Sequence, residues 1–165
     1  MANTMYLRRE VEAYVRGHLA EEFGQAFSAE VMALRTGGRH EFDAVAADKS
    51  VVASIKSSSG LTSGGKMPNG KVNDCLAELY YLTLVDAPIR RLVLTTPAFF
   101  DIFTRRTVGA VSVDIEVVCV PLPPDIQAEV NNVVLAASRE VTPGAAAAAI
   151  AAEVKTELRS PEPAS

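Results

Sequence analysis

From Ser57 to Gly70 the chain reads SSSGLTSGGKMPNG, too dense in Gly and Ser to hold a regular element. This stretch limits the possible folds more than any other feature, because it divides two differently patterned halves. Ahead of it one helical period is followed by three short strand-like segments. Behind it helical and strand-like segments alternate. A mobile loop is the expectation for Gly60 to Gly70 itself.

Apolar positions at Tyr6 or Leu7, Val11, Tyr14 or Val15, Leu19 and Phe23 recur at helical spacing and predict a helix over 4–23, stopped by Gly24. Strands are expected over 26–34, 40–47 and 51–57, separated by the turn signals Thr36-Gly37-Gly38 and Asp48-Lys49-Ser50. After the loop, a largely buried helix is expected over 71–85, a continuous apolar strand over 91–95, and a proline-initiated helix over 97–107. A strand over 113–120 and an amphipathic helix over 125–139 complete the order. The order α-β-β-β-α-β-α-β-α gives an α/β domain with a mixed sheet flanked by helices.

A chain of 165 residues suits one domain with its own core. We expect that domain over 1–141 and an Ala-rich, partly disordered tail over 142–165. No apolar run approaches the roughly 18–20 residues of a membrane span, and the N-terminus lacks a signal-peptide pattern. Cys75 and Cys119 lie in apolar segments without metal-ligand spacing, which reads as buried free thiols in a reducing, cytoplasmic setting. Net charge is −4, which works against a simple basic nucleic-acid binder. Basic pairs nevertheless occur at Arg8/Arg9, Lys66/Lys71, Arg90/Arg91 and Arg105/Arg106.

Chemistry concentrates in Glu41-Phe42-Asp43 on one strand and Ser54-Ile55-Lys56 on the next. Ser54 and Lys56 are two apart and leave the same face of their strand. With Asp43 on that side, an acid, a hydroxyl and a lysine would converge at one sheet edge. Phosphodiester hydrolysis of this kind uses a metal to activate water, and it gains from a cation near the attacking water. One carboxylate holds a hard divalent ion poorly, and Glu78 can supply a second. It interrupts the apolar run CLAELYYL, with Asp74 one helical turn earlier. Glu78 reads either as an acid solvated at the margin of that run or as the missing ligand.

These residues and the element order resemble the PD-(D/E)xK nuclease superfamily. Its restriction-endonuclease-like core is αβββαβ, to which this chain would add a C-terminal strand and helix. The motif aspartate corresponds to Asp43, with Phe42 where the proline usually stands. After ten intervening residues Ser54-Ile55-Lys56 takes the place of acid-x-lysine. The resemblance covers roughly the first 100 residues. Members with serine at this position carry the second acid on the following helix, which here implies Glu78. The resemblance further implies an acid on the first helix, Glu12 with Glu10 in reserve. It implies Mg²⁺ or Mn²⁺ held by Asp43 and Glu78, with Glu12 reaching the ion through water. Lys56 would then position and help deprotonate the attacking water, Ser54 would support the site, and DNA would be the substrate.

His40 borders this constellation and reads either as a surface residue or as a phosphate contact. Lys66 and Lys71, on and beside the glycine-rich loop, read either as part of a plain connection or as contacts to a nucleic-acid backbone. SGGK within the loop lacks the spacing of a nucleotide-binding loop. Val117, Val118, Val120, Val130, Val133, Val134 and Leu135 offer more apolar surface than one sheet face hides. A homodimer is the expectation from that surplus, and the small surface a domain of this size offers for reading bases suggests self-association or a separate recognition subunit. Two alternatives to catalysis keep the same fold. One is a degenerate nucleic-acid-binding or protein-interaction module, and the other is a sheet used only for oligomerisation.

Overall fold

In the computed structural model, which describes residues 2–57 and 69–140, the first helical period becomes α1 (Ala2–Phe23). Leu7, Val11, Val15 and Leu19, each four residues from the next, are its buried positions. Gly24 ends it at φ 67°, its N–H donating to the Ala20 carbonyl at 2.9 Å. Three strands follow: β1 (Phe27–Ala33), β2 (Arg39–Ala46) and β3 (Val51–Lys56). They pair as an antiparallel meander. Then come α2 (Asn69–Leu84), β4 (Ile89–Leu94), α3 (Pro97–Arg106), β5 (Ile115–Cys119) and α4 (Pro124–Glu140).

The sheet is five-stranded and open, in the order β1-β2-β3-β4-β5. β3, β4 and β5 run parallel, joined by crossovers through α2 and α3. β3 lies under both helical layers, so its sequence VVASI is buried without alternation. β1 is a sheet edge and alternates toward solvent.

Two cores lie on opposite faces. One joins Val72, Cys75, Leu79 and Leu82 of α2 and Phe99 and Phe103 of α3 to Phe42, Val45, Val52, Leu92 and Leu94. The other joins α1 and Val130 of α4 to Ala44, Ala53, Ile55, Val93 and Val120. Both cysteines are free, Cys75 fully buried and Cys119 half-buried.

Element ends differ from the sequence expectation by two residues at most. The clearest correction is at 113–114: Val113 is 98% exposed in a turn, and β5 begins only at Ile115, whose N–H donates to the Ser112 carbonyl. The apolar surplus of the C-terminal half is also reassigned. Val117 packs on the α2–α3 side, while Val118, Val120, Val130 and Val133 pack on the α1–α4 side. Two covered faces, not one, absorb these valines, so they no longer argue for a second copy. The side chains of Val134 and Leu135, and the tail over 142–165, lie outside the described residues. Among the described residues no helix is long and apolar enough to cross a membrane.

Candidate active site

The site starts from a fault in the β1–β2 ladder. Ser28 pairs with Val45 and Glu30 with Phe42, so Ala29 alone faces both Asp43 and Ala44. This β-bulge breaks the alternation of β2, and Phe42 and Val45 both bury toward α2 while Ala44 buries toward α1. Asp43 is thereby turned out of the regular pattern. Registered β2–β3 pairing stops at Ala44–Ala53, and beyond it the Asp43 side chain replaces the ladder. Its Oδ2 accepts the Ile55 N–H at 2.8 Å. Arg16 Nε of α1 donates to the Asp43 carbonyl at 2.7 Å.

Ser54 and Lys56 both meet α2, as two-residue spacing requires. Lys56 Nζ donates to Glu78 Oε1 at 2.8 Å, and Ser54 Oγ donates to Glu78 Oε2 at 2.9 Å. His40 Nε2 lies 3.2 Å from the same Oε2. The imidazole is fixed by stacking on Tyr81, with centroids 3.9 Å apart, and by an edge contact with Phe42. Glu78 therefore does not sit solvated at a stripe margin. The short Ser54 side chain, itself fully buried, leaves room for a carboxylate arriving from the helix.

Glu12 points inward from α1, between two arginines one helical turn to either side. Arg8 Nε reaches its Oε1 at 2.6 Å and an Arg16 terminal nitrogen its Oε2 at 2.8 Å. Arg8 also extends to Asp43 Oδ1 at 3.3 Å. A cleft of about 510 Å³ opens over these groups, lined by Arg8, Arg9, Glu12, His40, Glu41, Asp43, Lys56 and Glu78, with Met5 at its wall. Four carboxylates against three Lys and Arg side chains leave the lining one negative charge, not counting His40.

The two central acids are pushed apart. Burial raises Asp43 above its ordinary value. The Ile55 N–H, Lys56 and Arg8 only partly oppose that rise, and Glu12 adds to it. Burial pushes Glu78 up as well, but the Lys56 ammonium, the Ser54 hydroxyl and His40 outweigh it and hold that carboxyl low. Acids that line one cleft and shift in opposite directions are characteristic of sites tuned for chemistry.

Six of the residues singled out from sequence thus gather around one cleft: Asp43, Ser54, Lys56, Glu78, Glu12 and His40. Glu10 and Asp74 are exposed and do not line it. Lys71 sits in the first turn of α2 and is not among the lining residues. Lys66 lies outside the described residues. Sequence reasoning did not assign Arg8, Arg16 and Tyr81 to the site. The i, i+4, i+8 series Arg8-Glu12-Arg16 was the available signal for the first two.

No protein-family model, curated protein or solved structure matched this chain.

Proposed function

We propose that the protein is a divalent-metal-dependent nuclease with a restriction-endonuclease-like core of the PD-(D/E)xK type, hydrolysing phosphodiester bonds in DNA. One observation carries this reading. The Glu78 carboxylate rests 2.9 Å from Ser54 Oγ and 2.8 Å from Lys56 Nζ. On this reading α2 supplies the acid of the acid-x-lysine pair. The bulged aspartate on the adjoining strand and the element order support the same reading.

Among the described residues no three His, Cys, Asp or Glu groups form a ready ligand cage. The donor chemistry nevertheless suits Mg²⁺ or Mn²⁺, which are held by one or two hard carboxylate oxygens and keep several waters. Asp43 and Glu78 would hold the ion, and Glu12 would reach it through water. A divalent ion would turn the cleft's single negative charge positive, which suits a phosphate substrate. When bound, the ion supplies Lewis-acid charge to the phosphate and acidifies a water. Lys56 orients the attacking water and offsets negative charge beside it. Ser54 and His40 hold Glu78 in place. So small a domain offers little surface for reading bases, which leaves sequence choice to a second copy or a separate recognition subunit.

The test is cleavage of linear, circular and branched DNA with Mg²⁺ or Mn²⁺, using Lys56→Ala as control. Cleavage by the parent and loss in the variant support the reading. Nucleic-acid binding without cleavage in either would identify a degenerate binding module instead.

A further inference from the structure

Every inward carboxylate of the cleft is already neutralised by the chain itself, but the cations that do so are not equally free. Arg16 is three-quarters buried and spends its Nε on the Asp43 backbone, so it is part of the scaffold. Lys56 holds Glu78 from within the site. Arg8 differs: its side chain is 73% exposed, it stands on α1 at the cleft mouth, and its terminal nitrogen is 3.3 Å from Asp43 Oδ1. The other oxygen of Asp43 is committed to the Ile55 N–H. Oδ1 is therefore the atom that Asp43 can offer to an ion, and Arg8 is what stands against it.

We infer that Arg8 is an exchangeable counter-ion, holding Asp43 and Glu12 in the metal-free protein and passing to a backbone phosphate of the substrate when a divalent cation takes Asp43. This rests on the nuclease reading above. Three physical facts favour the exchange. The guanidinium is screened by solvent, and its 3.3 Å contact with Asp43 is longer than its 2.6 Å bond to Glu12, so the Asp43 contact is the one surrendered at little cost. A divalent ion beside Asp43 removes the charge that attracts the guanidinium and repels it. A guanidinium fork matches phosphate oxygens as well as carboxylate oxygens, so a released Arg8 at the cleft mouth has a partner of the right chemistry. Arg9, its neighbour in the lining, makes no ion pair among the described residues and adds positive charge at the same mouth. Metal and nucleic acid then bind cooperatively, because each favours the same position of Arg8.

The experiment titrates Mn²⁺ into the metal-free protein by calorimetry, and separately titrates a short DNA duplex in Ca²⁺, for the parent, Arg8→Gln and Arg9→Gln. Removing any cation from the cleft favours a metal somewhat, and Arg9→Gln measures that general effect. Arg8→Gln is expected to bind Mn²⁺ about two- to fivefold more tightly than Arg9→Gln does, in line with the release of one exposed ion pair. It is also expected to bind the duplex several-fold more weakly than the parent. Equal Mn²⁺ affinities for the two variants would overturn the exchange while leaving the nuclease reading intact, provided that Asp43→Asn abolishes Mn²⁺ binding. A parent that binds no Mn²⁺ at all would overturn both. A fold lost in Arg8→Gln would show as a lowered denaturation midpoint, and Arg8→Lys then serves in its place. Lysine keeps the charge but cannot span Glu12 and Asp43 together, so tighter Mn²⁺ binding is again expected, and unchanged affinity would count against the exchange.

Discussion

Glu78 of α2 and Lys56 of β3 meet at 2.8 Å, although 22 positions and the glycine-rich stretch separate them in the chain. Ser54, two residues before Lys56, engages the other oxygen of the same carboxylate at 2.9 Å. The serine at position 54 and the helix acid are thus hydrogen-bonded partners.

Substituting the two central acids should move stability in opposite directions. Asp43→Asn keeps an acceptor for the Ile55 N–H and removes a charge that burial disfavours. It should raise stability at neutral pH by about 0.5–1 kcal/mol, the usual sign when a functional group is neutralised. Glu78→Gln leaves the Lys56 ammonium half-buried without its counter-charge and should cost about 1.5–3 kcal/mol. Urea denaturation of both variants checks this, and a destabilised Asp43→Asn would refute the burial argument.

The pH dependence follows from the same shifts. Asp43 is raised, so its contribution to stability is full below its unfolded pKa of about 3.9 and is lost as pH rises through the higher folded value. Glu78 is lowered, so its contribution is present above about 4.3 and is lost as pH falls through its folded value. Metal binding needs Asp43 ionised. In the proposed site Mn²⁺ affinity should therefore weaken on acidification at a higher pH than an ordinary aspartate ligand would give. Affinity that is level across the acid range would contradict the role given to Asp43.

Arg16 should matter more than an ordinary helix arginine. Arg16→Met keeps the apolar stem but leaves the bulge carbonyl of Asp43 and one oxygen of Glu12 without their donor. A loss of about 1–3 kcal/mol is expected, against a few tenths for Arg9→Met on the same helix. Equal effects in denaturation would show that the bulge does not depend on Arg16.

The thiols give an independent check on packing. Burial pushes the Cys75 thiol up to about 12, while Cys119 is raised too but is half-buried. Maleimide labelling of the native protein should modify Cys119 first and reach Cys75 only on unfolding. Early labelling of Cys75 would mean that α2 is not seated on the sheet.

Element order was legible because each segment keeps its own period: four-residue steps in α1, and uninterrupted burial in β3. Period alone could not exclude Val113, whose apolar side chain fits a strand pattern but stands in a turn. Asp43, Lys56 and Glu78 were legible as residue types out of place in their segments. The bulge that aims Asp43 was not, since an extra residue in one strand shows only against its partner. Arg8 and Arg16 were hidden because arginine on an amphipathic helix is ordinarily a solvated charge. Only the inward acid between them changes that.

The central claim is that Glu78 supplies, from the helix, the acid that position 54 lacks. Metal-dependent cleavage of DNA by the parent, Glu78→Gln, Ser54→Glu and the double variant tests it most directly. The account predicts cleavage by the parent, loss in Glu78→Gln, and partial recovery when Ser54→Glu is added to that background, because both positions address one ion. Ser54→Glu alone should be impaired, since two carboxylates would compete for one space. Undiminished cleavage by Glu78→Gln would contradict the account.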